Sequence, residues 1–309
     1  MRVLITGIAS PVARRVAGHA VAAGHEVIGI DRRLWEGCPG EVTMYAVDLR
    51  KRAAEEVFRK HRPEAVIHMA TVTHLKASTE ERYRINLGGT RAVFDHARAY
   101  GVGQVVFVGR HTYYGAGADH ALYHREDDPP MAVSTFPELA DLVAADLYAT
   151  TALWRHPELK TAVLRMVYVL GPSGTGTLAS FLRGPKVPAI LGFDPLFHFM
   201  HEDDTARAVV EALGARLHGV FNVAGPPPLP LSVIVRESGR KLVPLPEFVF
   251  HVMRGRLGFP QLPPGAMTHV KYPVVVDGDA FRQATGWRHR IEDDACLREF
   301  RRTFPVRLG

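Results

Sequence analysis

The clearest indication of the fold is the segment Arg2-Val3-Leu4-Ile5-Thr6-Gly7-Ile8-Ala9-Ser10-Pro11-Val12-Ala13. Its apolar residues predict a short buried strand that turns at Gly7 and continues into a helix. Pro11 suits the first turn of that helix, because a backbone amide there has no partner within the helix. The following amides are then free to face an anion at the positive end of the helix dipole. The segment therefore predicts the βα unit of a dinucleotide-binding domain.

Beyond this unit, strand-like and helix-like segments alternate. Short apolar runs at 3–5, 26–30, 65–68 and 105–108 are separated by helical segments, and further strands are expected at 161–167 and 220–223. This alternation is typical of right-handed βαβ units in a parallel sheet with helices on both faces. We therefore predict an α/β fold, a Rossmann-like doubly wound parallel sheet. Such sheets bind ligands at the carboxyl ends of their strands.

Two Pro/Gly-rich segments, 184–197 and 242–271, are expected to form loops and short helices that cap this edge of the sheet. They predict a smaller, discontinuous substrate lobe in the carboxyl-terminal half of the chain. The dinucleotide-binding domain is expected to span 1–172, with 198–225 and roughly 271–290 returning to it. The lobe is then formed by 173–197 and 226–270 together with the carboxyl-terminal helix.

Composition narrows the classes of function. The 309 residues carry a net charge of +6, but the basic residues are spread along the chain, so no nucleic-acid partner is expected. Cys38 and Cys296 lie far apart and give neither a disulfide framework nor a thiolate metal site. No apolar run is long enough to span a membrane, and the expected location is the cytoplasm. His120 and His124 have a ligand-like spacing, but their segment is expected to be a loop, so no metal is predicted.

Several motifs resemble those of the extended short-chain dehydrogenase/reductases, the NAD-dependent epimerase/dehydratase family. The matching segments are Thr6-Gly7-x-x-Ser10-x-x-Ala13, Ile28-Gly29-Ile30-Asp31, Val47-Asp48-Leu49, His68-Met69-Ala70 and Asn86-Leu87-Gly88-Gly89-Thr90. The resemblance covers nearly the whole chain. It implies a set of cofactor-binding residues: Gly7, Ser10, Pro11, Val12, Asp31, Arg32, Asp48, Leu49, Met69, Ala70, Asn86 and Val108.

The cofactor is expected to be NAD. Asp31 ends the second predicted strand, where a carboxylate accepts hydrogen bonds from ribose hydroxyls and repels a 2′-phosphate. Arg32 and Arg33 would attract such a phosphate, so NADP stays open as an alternative. Ser10 replaces a glycine of the family turn, and its hydroxyl could donate a hydrogen bond to a phosphate. His68 is expected to be a packed histidine at a strand end, and Asp203 or Asp204 to cap a helix.

The predicted catalytic segments depart from the family. None of the nine tyrosines has a lysine four residues later, so the Tyr-x-x-x-Lys pair of these enzymes is missing. Alignment places Glu138 at the tyrosine and Leu142 at the lysine. The segment Val106 to Gly115 resembles the family strand that ends in Ser-Ser-x-x-x-Tyr-Gly, which puts Arg110 at the substrate-binding hydroxyl. A guanidinium cannot replace a neutral hydroxyl, although it can clamp a phosphate or carboxylate.

Two interpretations follow. In the first, the chain is an NAD(P)-binding protein with a degenerate site and a binding or regulatory role. In the second, it is an active epimerase, dehydratase or reductase whose substitute groups are drawn from Glu138, Thr112, Arg110, Tyr113 and His111. Either way, a small-molecule ligand is expected in the cleft between the lobes. If the apolar segment 246–253 lines that cleft, the ligand would be less polar than a sugar nucleotide. The resemblance also implies a homodimer formed by the helices after Asn86 and around Leu142, with Leu139, Leu142, Val143 and Leu147 in the contact.

Overall fold

The computed structural model describes residues 1–72, 79–249 and 265–306. The strands are β1 (Arg2–Thr6), β2 (Glu26–Asp31), β3 (Val42–Ala46), β4 (Ala65–His68), β5 (Gln104–Arg110), β6 (Tyr123–His124), β7 (Lys160–Met166), β8 (Tyr168–Leu170), β9 (Lys186–Ile190), β10 (Leu196–Phe197), β11 (Phe199–His201), β12 (Gly219–Val223), β13 (Leu229–Pro230), β14 (Lys241–Leu245) and β15 (Val275–Val276).

The helices are α1 (Pro11–Ala22), α2 (Arg52–His61), α3 (Thr79–Ala99), α4 (Ala132–Thr135), α5 (Ala140–Arg155), α6 (Thr177–Phe181), α7 (Glu202–Gly214), α8 (Leu231–Glu237), α9 (Ala266–Lys271), α10 (Asp279–Thr285) and α11 (Asp293–Thr303). Two 3₁₀ turns, His111–Tyr114 and Pro137–Leu139, flank the segment between β5 and α5. Among the described helices, none has the length and apolar character needed to cross a membrane.

A seven-stranded sheet forms the centre of the molecule, in the order β12-β7-β5-β4-β1-β2-β3. Every neighbouring pair is parallel. Two hydrophobic clusters cover its two faces. The chain leaves β1 toward β2 on one side and later returns to β4 on the other. This reversal of strand order is where open α/β sheets form their ligand crevice. The predicted doubly wound Rossmann-like sheet is confirmed.

The turn after β1 folds as its sequence predicts. Ser10 has an extended backbone and caps α1, its hydroxyl accepting a hydrogen bond from the Ala13 amide at 3.4 Å. Pro11 is the first residue of the helix. The Ser10 hydroxyl thus already satisfies one amide at the helix start.

A third hydrophobic cluster lies away from the sheet, in the carboxyl-terminal half of the chain. It is built by residues of α6, β9, α8 and α11, with Leu182 and Leu297 fully buried. The expectation that 184–197 is only loop and short helix is wrong, because β9 lies within it and pairs in parallel with β14. Four of the five β9 residues are buried, so this strand is stabilised by lobe packing, which local Pro and Gly content does not reveal. Of the segment 242–271, residues 250–264 lie outside the described part.

The predicted acidic cap of α7 is also wrong. His201 caps this helix, and its ring accepts a hydrogen bond from the Asp203 amide. The Asp204 carboxylate instead accepts hydrogen bonds from the backbone amides of Arg290 and Ile291. Asp204 therefore holds the segment between α10 and α11, a long-range role that sequence spacing does not show.

Candidate functional site

An open cleft lies at the carboxyl edge of the sheet, where strand order reverses. It is lined by Gly7, Ser10, Ile30, Asp31, Arg32, Val47, Asp48, Leu49, Arg50, Met69, Ala70, Thr71, Val72, Ile85 and Gly89. We call it the first cleft. Its residues come from the ends of β1, β2 and β4, the loop after β3, and α3.

Gly7 brings two strand ends close together at the base of the first cleft. Its φ of +73° is a conformation that side chains with a Cβ rarely adopt. A Cβ at this position would lie 2.8 Å from both the Cα and the N of Ala70. The glycine is therefore required both for the turn and for the approach of β1 to the end of β4.

His68, the last residue of β4, takes part in the hydrogen bonds that hold this strand end beside the end of β1. Thr6 Oγ1 accepts hydrogen bonds from the amides of Met69 and Ala70 and lies 2.6 Å from His68 Nδ1. With both amides donating to it, the Thr6 hydroxyl donates its own proton to Nδ1, which leaves Nε2–H to donate to Thr90 Oγ1 at 3.0 Å. Burial lowers the pKa of His68 to about 3. The prediction of a packed histidine at a strand end is confirmed.

Asn86 holds the next part of the wall. Its side chain accepts a hydrogen bond from the Val72 amide and donates one to the Val72 carbonyl. It also donates to the carboxylate of Asp141 on α5, which forms a buried ion pair with Arg82 at 2.5 Å. Asn86 is fully buried and does not line the cleft, so it positions the cleft wall without touching the space within.

Carboxylates mark the outer rim of the first cleft. Asp31 accepts hydrogen bonds from the Ala9 and Arg33 amides, at 3.1 and 2.9 Å. Asp48 is held by Arg50, with contacts of 2.9 Å to Nε and 2.6 Å to Nη2. The hydrogen bond from Arg50 lowers the pKa of Asp48 to about 2. Both carboxylates are therefore fixed in position by donors of the chain itself.

A smaller space, the second cleft, lies beyond the end of β5. It is lined by Thr71, Phe107, Val108, Gly109, Arg110, Thr112, Tyr113, Leu139, Leu142, Val143 and Asp146. Thr71 lines both clefts, so the two spaces meet at the end of β4. The wall contributed by α5 and its preceding turn is largely apolar.

Arg110 carries the positive charge of the second cleft. It is the last residue of β5 and is partly buried, and burial lowers its pKa to about 10. An arginine in this state still carries its charge at neutral pH. Its electrostatic neighbours are Tyr168 and His111, neither of which is an anion.

The two positions expected to replace the family dyad lie apart. Leu142 lines the second cleft, whereas Glu138 lies on the 3₁₀ turn before α5 and lines neither cleft. The Glu138 carboxylate faces the Gly265 amide at 3.4 Å. Catalysis by Glu138 stays a prediction. Leu139 and Val143 are buried within the chain, so their expected place in an exposed dimer contact is wrong.

A buried ion pair supports the second cleft from behind. Arg165 Nη2 lies 3.0 Å from Asp146 Oδ1, and both side chains are almost fully buried. The guanidinium stacks over the Tyr113 ring at 3.6 Å and donates to the Tyr114 hydroxyl at 2.9 Å. Arg165 thereby balances the negative charge of Asp146, although Asp146 lines the cleft. This network fixes the aromatic rings of the 3₁₀ turn after β5.

The structure brings most predicted cofactor residues together. The first cleft collects Gly7, Ser10, Asp31, Arg32, Asp48, Leu49, Met69 and Ala70. Pro11 and Val12 lie in the first turn of α1 beside it, and Val108 lines the second cleft with Arg110, Thr112 and Tyr113. Arg50 and Thr71 also line the first cleft, but they are not among the residues expected from the sequence. Arg50 follows directly on the Asp48-Leu49 motif, which was its available signal. In the described part of the chain, no group of three His, Cys, Asp or Glu side chains could hold a metal ion.

The sheet order, the glycine turn and the clefts at the carboxyl edge define a Rossmann-like α/β protein. Comparison with known proteins gives its family. The model of the NAD dependent epimerase/dehydratase family matches residues 3–224. The chain belongs to this family, and the expected resemblance is confirmed.

Individual relatives are distant. An uncharacterized protein of Mycobacterium tuberculosis is 25% identical over 283 residues, covering 89% of this chain and 73% of the relative. The 3-diazoavenalumate denitrifying reductase of a Streptomyces species is 27% identical over 263 residues, covering 78% of this chain and 82% of the reductase. The crystal structure of Thermus thermophilus UDP-glucose 4-epimerase in complex with NAD has a TM-score of 0.79 at 24% identity, covering 98% of this chain and 99% of the epimerase. This last similarity supports the fold.

Proposed function

We propose that this protein binds NAD in the first cleft, with the adenosine half toward Asp31 and Asp48 and the nicotinamide half toward Thr71 and the second cleft. The observation that carries the proposal is the first cleft itself, in which the turn after β1, with Gly7 and Ser10, faces the same space as Asp31 at the end of β2. Gly7 and the first amides of α1 would hold the pyrophosphate. NAD supplies a hydride acceptor when bound, and the chain supplies its orientation.

The preference for NAD over NADP rests on Asp31. Its carboxylate lines the first cleft at the end of β2, where it would accept from a ribose hydroxyl and repel a 2′-phosphate. Arg32 lines the same cleft and would favour the phosphate once Asp31 is neutral. Calorimetric titration of Asp31→Asn should show weaker NAD binding and a gain in NADP binding. Asp127→Asn, a change in the loop before α4, is the matched control. Unchanged selectivity in Asp31→Asn would argue against this assignment.

The chemistry of the site is atypical for the family in this proposal. Leu142 can neither hold a ribose nor lower the pKa of a phenol, so the hydride-transfer machinery of a Tyr-x-x-x-Lys enzyme has no counterpart on α5. The protein then serves as a dinucleotide-dependent binding or regulatory module.

A second candidate is an active reductase. It is supported by Thr112 and Tyr113, whose side chains line the second cleft, and by the relative named as a denitrifying reductase. A screen for substrate-dependent loss of NADH absorbance tests it. An activity that falls in Thr112→Val or Tyr113→Phe would establish the enzyme, and activity equal to wild type in both would remove these groups from catalysis.

The proposal also includes a division of the chain into two lobes and the formation of a homodimer. The separate hydrophobic cluster of α6, β9, α8 and α11 supports a smaller substrate lobe. Leu147 and Trp154 on α5 are exposed, Trp154 by 82%, and they support a homodimer contact along this helix. Trp154→Glu should shift the sedimentation of a dimer toward that of a monomer, and an unshifted profile would exclude this surface.

A further inference from the structure

Arg110 differs from the well-buried arginines of this protein. Arg82 and Arg165 each form an ion pair with a buried aspartate, and Arg240 donates to three backbone carbonyls. Within residues 1–72, 79–249 and 265–306, the Arg110 guanidinium has neither a hydrogen-bond acceptor nor an ion-pair partner. Arg110 is partly buried and lines the second cleft, so its charge lacks a protein partner at a place where a bound anion could supply one.

The chain offers no acidic side chain that would complete the pair from elsewhere. The residues outside the described ranges, 73–78, 250–264 and 307–309, include no Asp or Glu. Asp146 is the one carboxylate that lines the second cleft among the described residues, and it is engaged by Arg165. Since no described carboxylate is available to Arg110, an anionic ligand in the cleft could supply its counter-charge.

The walls of the second cleft describe the rest of that ligand. Phe107, Val108, Leu139, Leu142 and Val143 contribute apolar surface to the cleft that Arg110 also lines. Such walls lower the local dielectric constant and strengthen a charge-assisted hydrogen bond. They also disfavour a polyhydroxylated sugar, which would leave its hydroxyls without partners.

We propose that the second cleft binds a small organic carboxylate with an apolar body. The Arg110 guanidinium holds the carboxylate through its two parallel N–H groups, and the apolar body packs against Leu142 and its neighbours on α5. Thr112 and Tyr113 flank the carboxylate. The leucine that stands in place of the family lysine then contributes to ligand binding, because it provides part of the apolar wall. The inference deepens the proposed function, since it names the ligand that lies beside the nicotinamide end of NAD.

The probe is 3-phenylpropanoate, titrated by calorimetry into the NAD-saturated protein and into the protein without nucleotide. Neutral 3-phenylpropanamide and inorganic phosphate are the matched ligands. The carboxylate should bind at least about tenfold more tightly than the amide, the ratio expected when a hydrogen bond to a charged group is lost. Phosphate should bind more weakly than 3-phenylpropanoate. Equal binding of carboxylate and amide, tighter binding of phosphate, or no saturable binding of 3-phenylpropanoate would overturn the proposal.

Variants assign the effect to Arg110. Arg110→Gln should lose about tenfold or more in affinity for 3-phenylpropanoate, and Arg110→Lys should lose less because it keeps the charge without the planar fork. Arg91→Gln, on the exposed face of α3, is the matched control and should bind as wild type does. Far-ultraviolet circular dichroism confirms the fold of each variant. Wild-type affinity in Arg110→Gln would overturn the assignment.

The same titrations distinguish a failure of the NAD proposal from a failure of the carboxylate proposal. NAD affinity is measured in the same titrations with the wild-type protein, so binding of the cofactor and binding of the carboxylate are read separately. Binding of 3-phenylpropanoate without any binding of NAD would support the anion site and refute the proposed cofactor. Binding of NAD without binding of 3-phenylpropanoate would refute the anion site alone.

Discussion

Asn86 bonds both backbone polar groups of Val72, accepting from its amide at 2.7 Å and donating to its carbonyl at 3.0 Å. Val72 lines the first cleft, and Asn86 belongs to α3. A helix residue therefore fixes the position of a loop that follows β4. Since Asn86 also contacts the buried Asp141, the cleft wall, α3 and α5 are joined through one side chain.

Asn86→Ala should lower the free energy of unfolding by about 2 kcal/mol or more, because buried backbone groups of Val72 and the Asp141 carboxylate lose their partner. NAD affinity should fall as well, since the cleft wall loosens. Urea denaturation and calorimetric titration measure the two effects. Asn222→Ala is the matched control, a buried asparagine that contacts Tyr114 far from the first cleft. It should destabilise the protein without changing NAD affinity. An equal loss of affinity in both variants would contradict a specific role of Asn86.

Gly7→Ala and Gly18→Ala should have opposite effects. An added Cβ at Gly7 meets the Ala70 backbone at 2.8 Å in a positive-φ turn, whereas one at Gly18 meets nothing within 4 Å on an exposed helix face. Gly7→Ala should cost about 2 kcal/mol or more and abolish NAD binding. Gly18→Ala should stabilise α1 by about 0.5–1 kcal/mol. Thermal unfolding with and without NAD checks both. A Gly7→Ala protein with normal stability would refute the close approach.

His68 should make stability depend on pH. Its folded pKa is lowered to about 3 by burial, whereas an unfolded histidine titrates near its ordinary value of about 6.5. The unfolded state binds more protons between these values, so stability is full above about pH 6.5 and falls as pH decreases toward 3. His68 contributes a slope of up to about 1.4 kcal/mol per pH unit. His68→Gln should show a shallower decrease in urea unfolding experiments from pH 7 to 4. Parallel curves for both proteins would contradict the buried neutral state.

Removal of Asp146 should be far more costly than removal of a surface carboxylate. Asp146→Ala leaves Arg165 charged and buried, which should cost about 3–5 kcal/mol. Asp95→Ala breaks the exposed Arg91–Asp95 pair and should cost less than about 1 kcal/mol. Chemical denaturation of the two variants gives the comparison. Because Arg165 also stacks on Tyr113, Asp146→Ala should perturb the second cleft more than the first. Similar costs for the two variants would refute the buried pair.

Local sequence signals predicted the elements around the first cleft. Gly7, Ser10 and Asp31 lie within or beside strand ends, where turn chemistry and short spacing largely determine the conformation. Their positions in the structure follow those expectations. The same holds for His68, because an apolar run ending in histidine already implies a buried ring at a strand end.

Residues whose role depends on distant packing could not be predicted in this way. Glu138 aligns with a catalytic position, but a 3₁₀ turn before α5 directs it toward Gly265, far along the chain. His201 rather than an aspartate caps α7, because Asp204 is engaged by the chain near Arg290. The missing partner of Arg110 is likewise visible only once every neighbouring carboxylate has been located. Spacing along the sequence contains none of this information.

The central claim is that the first cleft binds NAD. Calorimetric titration of the purified, nucleotide-free protein with NAD, NADH, NADP and NADPH tests it most directly. The account predicts saturable one-to-one binding of NAD and NADH, weaker binding of NADP and NADPH, and loss of NAD binding in Gly7→Ala. No binding of any of the four dinucleotides to a folded wild-type protein would contradict it.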